Sequence, residues 1–115
     1  MNICIIGGSG FVGSELIFSL SNYNLTNIDK SQSTTFPTIT LIRDIRNKKN
    51  LNIPKETNIV VLLAAEHKDD VSPSSLYYDV NVKGTANVLE KMDELGIKQI
   101  IFTSSVAVYG LNKIN

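Results

Sequence analysis

Residues 2–13, Asn-Ile-Cys-Ile-Ile-Gly-Gly-Ser-Gly-Phe-Val-Gly, restrict the folds open to this chain more than any other stretch. An apolar run enters a turn spaced Gly7-x-x-Gly10-x-x-Gly13, with Gly8 adding a shorter register. The turn opens a pattern in which Phe11, Val12, Leu16, Ile17 and Leu20 recur at helical spacing. Glycine is needed where a Cβ would block a tight turn, a ligand's approach, or close packing of helix on strand. A helix start also presents unpaired N–H groups and a partial positive charge. Strand, glycine turn and helix in that order predict a seat for the diphosphate of a dinucleotide. On this stretch alone, a strand–helix turn that holds no ligand stays open.

The rest of the chain alternates in the same manner. The first helix is predicted from about Gly10 to Leu20, followed by a strand at Leu25–Asp29 and a Ser/Thr-rich loop from Lys30 to Pro37. Thr38–Ile42 is β-branched and apolar and reads as a third strand. Between Asn47 and Lys55 only Leu51 and Ile53 are apolar points, so one helical turn is the most expected there, with Pro54 against anything longer. Asn58–Ala65 is a continuous apolar run, as in a parallel strand covered on both faces. Ser72-Pro73 is a helix-start signal. A helical pattern through Leu76, Val80, Val88, Leu89, Met92 and Leu95 then stops at Gly96, and Lys98–Thr103 is a fifth strand. This succession predicts one α/β domain over residues 1–115, a Rossmann-like doubly wound parallel sheet. Right-handed crossovers give the strand order 3-2-1-4-5, with the ligand crevice between the first and fourth strands beyond their carboxyl ends.

Composition narrows the partners. Eleven basic and eleven acidic residues cancel, so net charge does not favour a nucleic acid. The densest basic run, Arg43, Arg46, Lys48 and Lys49, is interrupted by Asp44 and reads as solvated loop. The single cysteine, Cys4, sits in an apolar run and reads as a small buried hydrophobe. One cysteine forms no disulfide within the chain, which suits a reducing compartment. No apolar stretch reaches the roughly 18 residues of a membrane helix, and the first strand starts almost at residue 1, so no signal peptide is expected. The default expectation is a soluble cytoplasmic protein.

Candidate site residues fall at the carboxyl ends of the strands. Asp29 closes the second strand, where a carboxylate accepts from adenosine ribose hydroxyls and repels a 2′-phosphate, so NAD is expected over NADP. Lys30 and Arg43 keep a phosphate within reach. Asp44 follows the third strand and either accepts from the adenine amino group or pairs with Arg43 and Arg46. Ala64 and Ala65 end the fourth strand with side chains small enough for a ring or ribose to lie close, or for plain packing. His67 has no cysteine or second histidine nearby, so no metal site is expected. Asn81 interrupts the apolar stripe of the long helix and faces either solvent or the crevice. Ser104 and Ser105 follow the fifth strand, and at least one hydroxyl should open into the crevice.

Six blocks together resemble a known family. They are Gly-Gly-Ser-Gly-Phe-Val-Gly, Asp29, Asp44-Ile45, Leu63-Ala64-Ala65-Glu66, Asn81-Val82-Lys83-Gly84-Thr85, and Ser104-Ser105-Val106-Ala107-Val108-Tyr109-Gly110. In this order they resemble the extended short-chain dehydrogenase/reductases, and among those the nucleotide-sugar epimerases and dehydratases. The resemblance implies that Gly7, Gly10 and Gly13, with Ser9, Phe11 and Val12, hold the pyrophosphate. It implies Asp29 on the adenosine ribose, and Asp44 with Ile45 on the adenine. Leu63, Ala64 and Ala65 would line the nicotinamide-ribose side, with Asn81 near the catalytic centre. Ser105 matches the catalytic Ser/Thr that hydrogen-bonds a substrate hydroxyl or keto oxygen. Two positions depart from the pattern: Arg43 stands where glycine is common, and Asn47 where a second acid is common.

The resemblance also implies a tyrosine base with a lysine four residues on, whose charge lowers the phenol pKa. Tyr109 and Lys113 have that interval, but Tyr109 belongs to the Val-Tyr-Gly block at a strand end and Gly110 weakens a helix there. Tyr78 and Lys83 are five apart. The chain is therefore expected to be an N-terminal fragment, truncated after its fifth strand and inactive alone. The parent would be an NAD-dependent epimerase or dehydratase working by transient hydride transfer at a sugar hydroxyl of a nucleotide-sugar. A non-catalytic dinucleotide-binding module and a reductase with another carbonyl substrate are the alternatives. The uncovered sheet edge is expected to favour self-association.

Overall fold

In the computed structural model, which describes residues 1–63 and 79–102, five parallel strands form one sheet in the order β3-β2-β1-β4-β5. The strands are β1 (Asn2–Ile6), β2 (Asn24–Asp29), β3 (Thr40–Ile42), β4 (Ile59–Leu62) and β5 (Gln99–Phe102). The described helices are α1 (Phe11–Ser19) and α2 (Thr85–Leu95). The predicted fold class and strand order both hold. In register, Ile6 lies between Ile28 and Leu62, Leu62 pairs with Phe102, and Asp29 pairs with Ile42. All carboxyl ends therefore share one side of the sheet.

Alternation along β1 builds two cores from one strand. Cys4 and Ile6 join Ile28, Val60 and Leu62 under Val88 and Met92 of α2. Ile3 and Ile5 join Val61 under Ile17 of α1, with Leu16 and Leu20 packed alongside. Of the apolar residues expected on the inner stripe of α1, Phe11 and Val12 instead stand exposed. They occupy the first turn, where the helix axis has just left the glycine turn and only Gly13 and Ile17 are buried.

Element bounds shift for local reasons. The third strand begins at Thr40 rather than Thr38, because Pro37 opens a 3₁₀ turn over Pro37–Ile39. The expected single turn after Asn47 is a 3₁₀ turn at Lys48–Asn50. The long helical segment is described as a π-helical turn, Asp79–Gly84, continuing into α2. Its stop is the expected one: Gly96 adopts φ 74°, and Ile97 N–H donates to the Met92 carbonyl at 2.9 Å. Gly96 N–H donates to Asp93, which completes a Schellman closure with Ile97 buried behind it. The Ser72-Pro73 start signal and His67 lie outside the described residues.

Candidate dinucleotide site

Three of the four glycines of the first turn meet different constraints, and the fourth leaves space. Gly7 has φ 92°, a left-handed backbone that side chains disfavour. A Cβ on Gly13 would overlap the Gly8 backbone, so α1 sits directly on the turn only because residue 13 is glycine. A Cβ on Gly8 would overlap the Asn27 amide oxygen. At Gly10 a Cβ would meet nothing among the described residues within 4 Å, which leaves the mouth of the turn open to a ligand.

The amides of the turn divide into two groups. Gly7 N–H donates to the Ile28 carbonyl at 2.7 Å, Gly8 N–H to Asn27 Oδ1 at 2.8 Å, and Ser9 N–H to Asp29 Oδ2 at 2.9 Å. These three hold the turn to β2. The first helical bond runs from Ser14 N–H to the Gly10 carbonyl at 2.9 Å. The N–H groups of Phe11, Val12 and Gly13 consequently have no acceptor within the helix. They are the amides suited to phosphate oxygens.

Asp29 ends β2 directly beside this turn, as its spacing predicted. Its other oxygen, Oδ1, accepts from Ser31 N–H at 3.0 Å, so the carboxylate is fixed at both ends. Each oxygen retains a lone pair for a ribose hydroxyl. Ser9 is occupied more fully than its motif position suggested: its hydroxyl donates to the Ser31 carbonyl at 2.7 Å and accepts from Asn27 Nδ2 at 3.1 Å.

Asp44 and Ile45 follow β3 on the same side of the sheet. Asp44 is gripped by Arg46 through its backbone N–H, Nε and Nη2, the last at 2.6 Å. The Arg46 hydrogen bonds hold the Asp44 carboxyl below the usual carboxylate range. With Ile42, Arg43, Asn47, Asn50 and Asn52, Asp44 lines a shallow cleft next to Asp29's strand end. Ile45 turns its side chain into the core, against Gly84, where a Cβ would come within 2.5 Å of Ile45 Cδ1. The Ile45 carbonyl accepts from Asn87 Nδ2 at 2.9 Å, so the Ile45 N–H is the group left to face a ligand. The basic run is largely paired within the chain: Lys48 bridges Glu90 and Glu94 at 3.1 and 2.6 Å, and Arg43 Nε donates to Asn52.

Leu63 sits at the crevice end of β4, half-buried on the α1 face, with its N–H donating to the Ile6 carbonyl at 2.7 Å. Ala64, Ala65 and Ser105 lie outside the described residues, as does the side chain of Asn81, whose backbone is in the π-helical turn. Burial pushes the Cys4 thiol up to about 12, so it is an inert hydrophobe at neutral pH. Among the described residues no group of three or more His, Cys, Asp or Glu side chains could hold a metal. No helix among them is long and apolar enough to cross a membrane.

Asn27 was missed in the sequence. It is fully buried and holds both the Gly8 amide and the Ser9 hydroxyl. The available signal is its place two residues after Leu25, on the same face of a parallel strand covered on both sides, where a polar side chain needs partners.

A doubly wound parallel sheet with a glycine turn at its switch point and an acid closing β2 is the arrangement that dinucleotide-binding α/β proteins share. The chain belongs to the NAD dependent epimerase/dehydratase family, whose model matches residues 3–114. A curated relative from Escherichia coli O157:H7, named N-acetyl-alpha-D-glucosaminyl-diphospho-ditrans,octacis-undecaprenol 4-epimerase, is 57% identical over 99% of this chain. A UDP-glucose 4-epimerase from Vibrio cholerae is 31% identical over 95%. The chain spans 35% and 36% of the length of these two relatives. Among solved structures, a UDP-galactose 4-epimerase superposes with TM-score 0.77 at 27% identity, over 89% of this chain and 37% of that one. The Thermus thermophilus UDP-glucose 4-epimerase in complex with NAD gives TM-score 0.77 at 23% identity, over 87% of this chain and 36% of that one, and shares the fold.

Proposed function

We propose that this chain is the NAD-binding portion of a sugar 4-epimerase whose parent acts on an N-acetylhexosamine carried by a polyprenyl diphosphate. One observation carries the cofactor half: a fixed carboxylate, Asp29, adjoins a glycine turn whose leading helical amides have no partner in the helix. The Phe11, Val12 and Gly13 amides would hold the diphosphate, with Gly7 and Gly10 shaping its approach. Asp29 would accept from the adenosine ribose and repel a 2′-phosphate, favouring NAD over NADP. Asp44 and the Ile45 N–H would meet the adenine. By the family resemblance, Leu63, Ala64, Ala65 and Asn81 would border the nicotinamide side, and Ser105 would hydrogen-bond the reacting sugar oxygen. NAD held there would supply the hydride acceptor and donor for inversion at the sugar carbon.

The substrate half is supported by the 57% identity to the undecaprenol-linked 4-epimerase. Because the chain spans 35% of that relative, the proton-abstracting tyrosine–lysine pair and the sugar-binding part are assigned to a longer parent. The 115-residue chain itself is expected to bind cofactor without turnover. A cytoplasmic location and self-association through β5, where Ile101 and Phe102 are exposed, belong to the same proposal.

Calorimetric titration of the chain with NAD and NADP tests the cofactor half. Tighter NAD binding that Asp29→Ala abolishes is expected, and tighter NADP binding would overturn it. For the substrate, the parent is given N-acetylglucosamine on a polyprenyl diphosphate or on UDP. Conversion to N-acetylgalactosamine on the lipid carrier is expected, and conversion on UDP alone would overturn that assignment. Sedimentation over a concentration series reads the self-association.

A further inference from the structure

Asn27 lies in the middle of β2 with no solvent exposure, on the face covered by α1. A primary amide there is costly unless its donors and acceptor are satisfied. Here Oδ1 accepts from Gly8 N–H at 2.8 Å, while Nδ2 donates to Ser9 Oγ at 3.1 Å and to Thr40 Oγ1 at 3.0 Å. Both hydroxyls spend their single proton on carbonyls, Ser9 on Ser31 at 2.7 Å and Thr40 on Phe36 at 2.8 Å. Each must therefore accept from Asn27, and the amide has one permitted orientation. Reversing it would set Nδ2 against the Gly8 N–H and Oδ1 against hydroxyl lone pairs.

An apolar side chain would fill this position as well for packing. What it would not do is fix the direction of the Gly8 peptide and the Ser9 hydroxyl. The lock is mutual, because any side chain on Gly8 would overlap the Asn27 oxygen. With Gly8 and Ser9 drawn back onto β2, the next amides in sequence are those left for a ligand. The geometry points to Asn27 as a positioning residue for the diphosphate, coupling the glycine turn to β3 through Thr40. This rests on the dinucleotide reading proposed above. Thr40 thereby influences binding without belonging to the turn.

Two variants of the full 115-residue chain test the role: Asn27→Leu, similar in volume and without hydrogen bonds, and the milder Thr40→Val. The readout is the ratio of ADP to adenosine affinity by calorimetry, since only ADP carries the diphosphate. Asn27→Leu should cut that ratio about tenfold, and Thr40→Val should cut it a few-fold, with adenosine affinity unchanged in both. The double variant should be no worse than Asn27→Leu alone, because both act on one chain of bonds. Equal losses for ADP and adenosine, or an unchanged ratio, would overturn the role. If Asn27→Leu does not fold, Thr40→Val carries the same comparison. Amide hydrogen exchange by NMR separates this claim from the one beneath it. A wild-type chain that binds neither ligand fails the dinucleotide reading itself. Exchange at Gly8 and Ser9 then decides: faster in the variants, with β1 and β4 amides unchanged, supports positioning, and unchanged exchange overturns it.

Discussion

On the α2 face of the sheet, eleven buried apolar residues form one cluster among the described residues; on the α1 face the buried cluster has four. The larger cluster draws on three layers, because the segment after β3 adds Ile45, Leu51 and Ile53 to the strands and α2. The smaller one lies under a helix that is apolar on both sides. Phe11, Val12 and Phe18 are 84%, 71% and 70% exposed, so much of the helix's apolar surface contributes nothing to burial. What fixes α1 in place is closer to backbone geometry: Gly13 against Gly8, and Gly8 against Asn27. The α2 face is held by fully buried apolar side chains; on the α1 face seven partly buried apolar residues surround the four, and steric fit and hydrogen bonds fix the ligand end.

Truncations on the two faces should separate these regimes most strongly. Ile28→Ala, in the larger cluster, is expected to cost about 3–5 kcal/mol, and Ile17→Ala, under α1, about 2–3 kcal/mol, in urea unfolding. Equal losses would erase the distinction. Next in size, Gly84→Ala should cost about 1–3 kcal/mol, since its Cβ would press on buried Ile45 and thereby shift the segment that carries Asp44. A variant as stable as wild type would mean the larger face is not close-packed there. Smaller still is Asp44→Asn. Because Arg46 depresses the Asp44 pKa in the folded chain, the pair's contribution is present above the ordinary aspartate range and is lost as pH falls through the depressed value. Wild type and variant should thus differ in melting temperature at about pH 7 and converge in acid. A gap that persists at low pH would refute the assignment. Smallest, Phe18→Ser on the outer side of α1 should change stability by less than about 0.5 kcal/mol. A loss above about 1 kcal/mol would show that this side is covered in solution.

Much of this architecture was legible from pattern. The glycine turn, the acid closing β2 and the Gly96 stop each require a specific residue type at a specific place, and each was found where spacing put it. Thr38 and Ile39 have strand composition, but Pro37 starts a tighter turn that absorbs them, so the third strand begins at Thr40. Of the neighbours Asp44 and Ile45, Ile45 turns its side chain onto Gly84; sequence adjacency does not say which of two neighbours faces inward. Arg46, rather than Arg43, is the partner of Asp44, since Arg43 turns back to the Ile42 carbonyl and Asn52.

The order of apolar runs, glycines and acids along the chain was enough to determine a parallel sheet wound on both faces and the end of it where a dinucleotide would be held. These are consequences of local periodicity and of handed crossovers, both written in one dimension. Tertiary structure alone decided which amides of the turn are spent on β2 and which are left for a ligand. The Gly8 amide is spent on Asn27, which is held in turn by Thr40, thirteen residues away in sequence and joined to it at 3.0 Å only when β2 and β3 pair. Hydrogen-bond partners between strands are set by register, and register exists only in the assembled sheet.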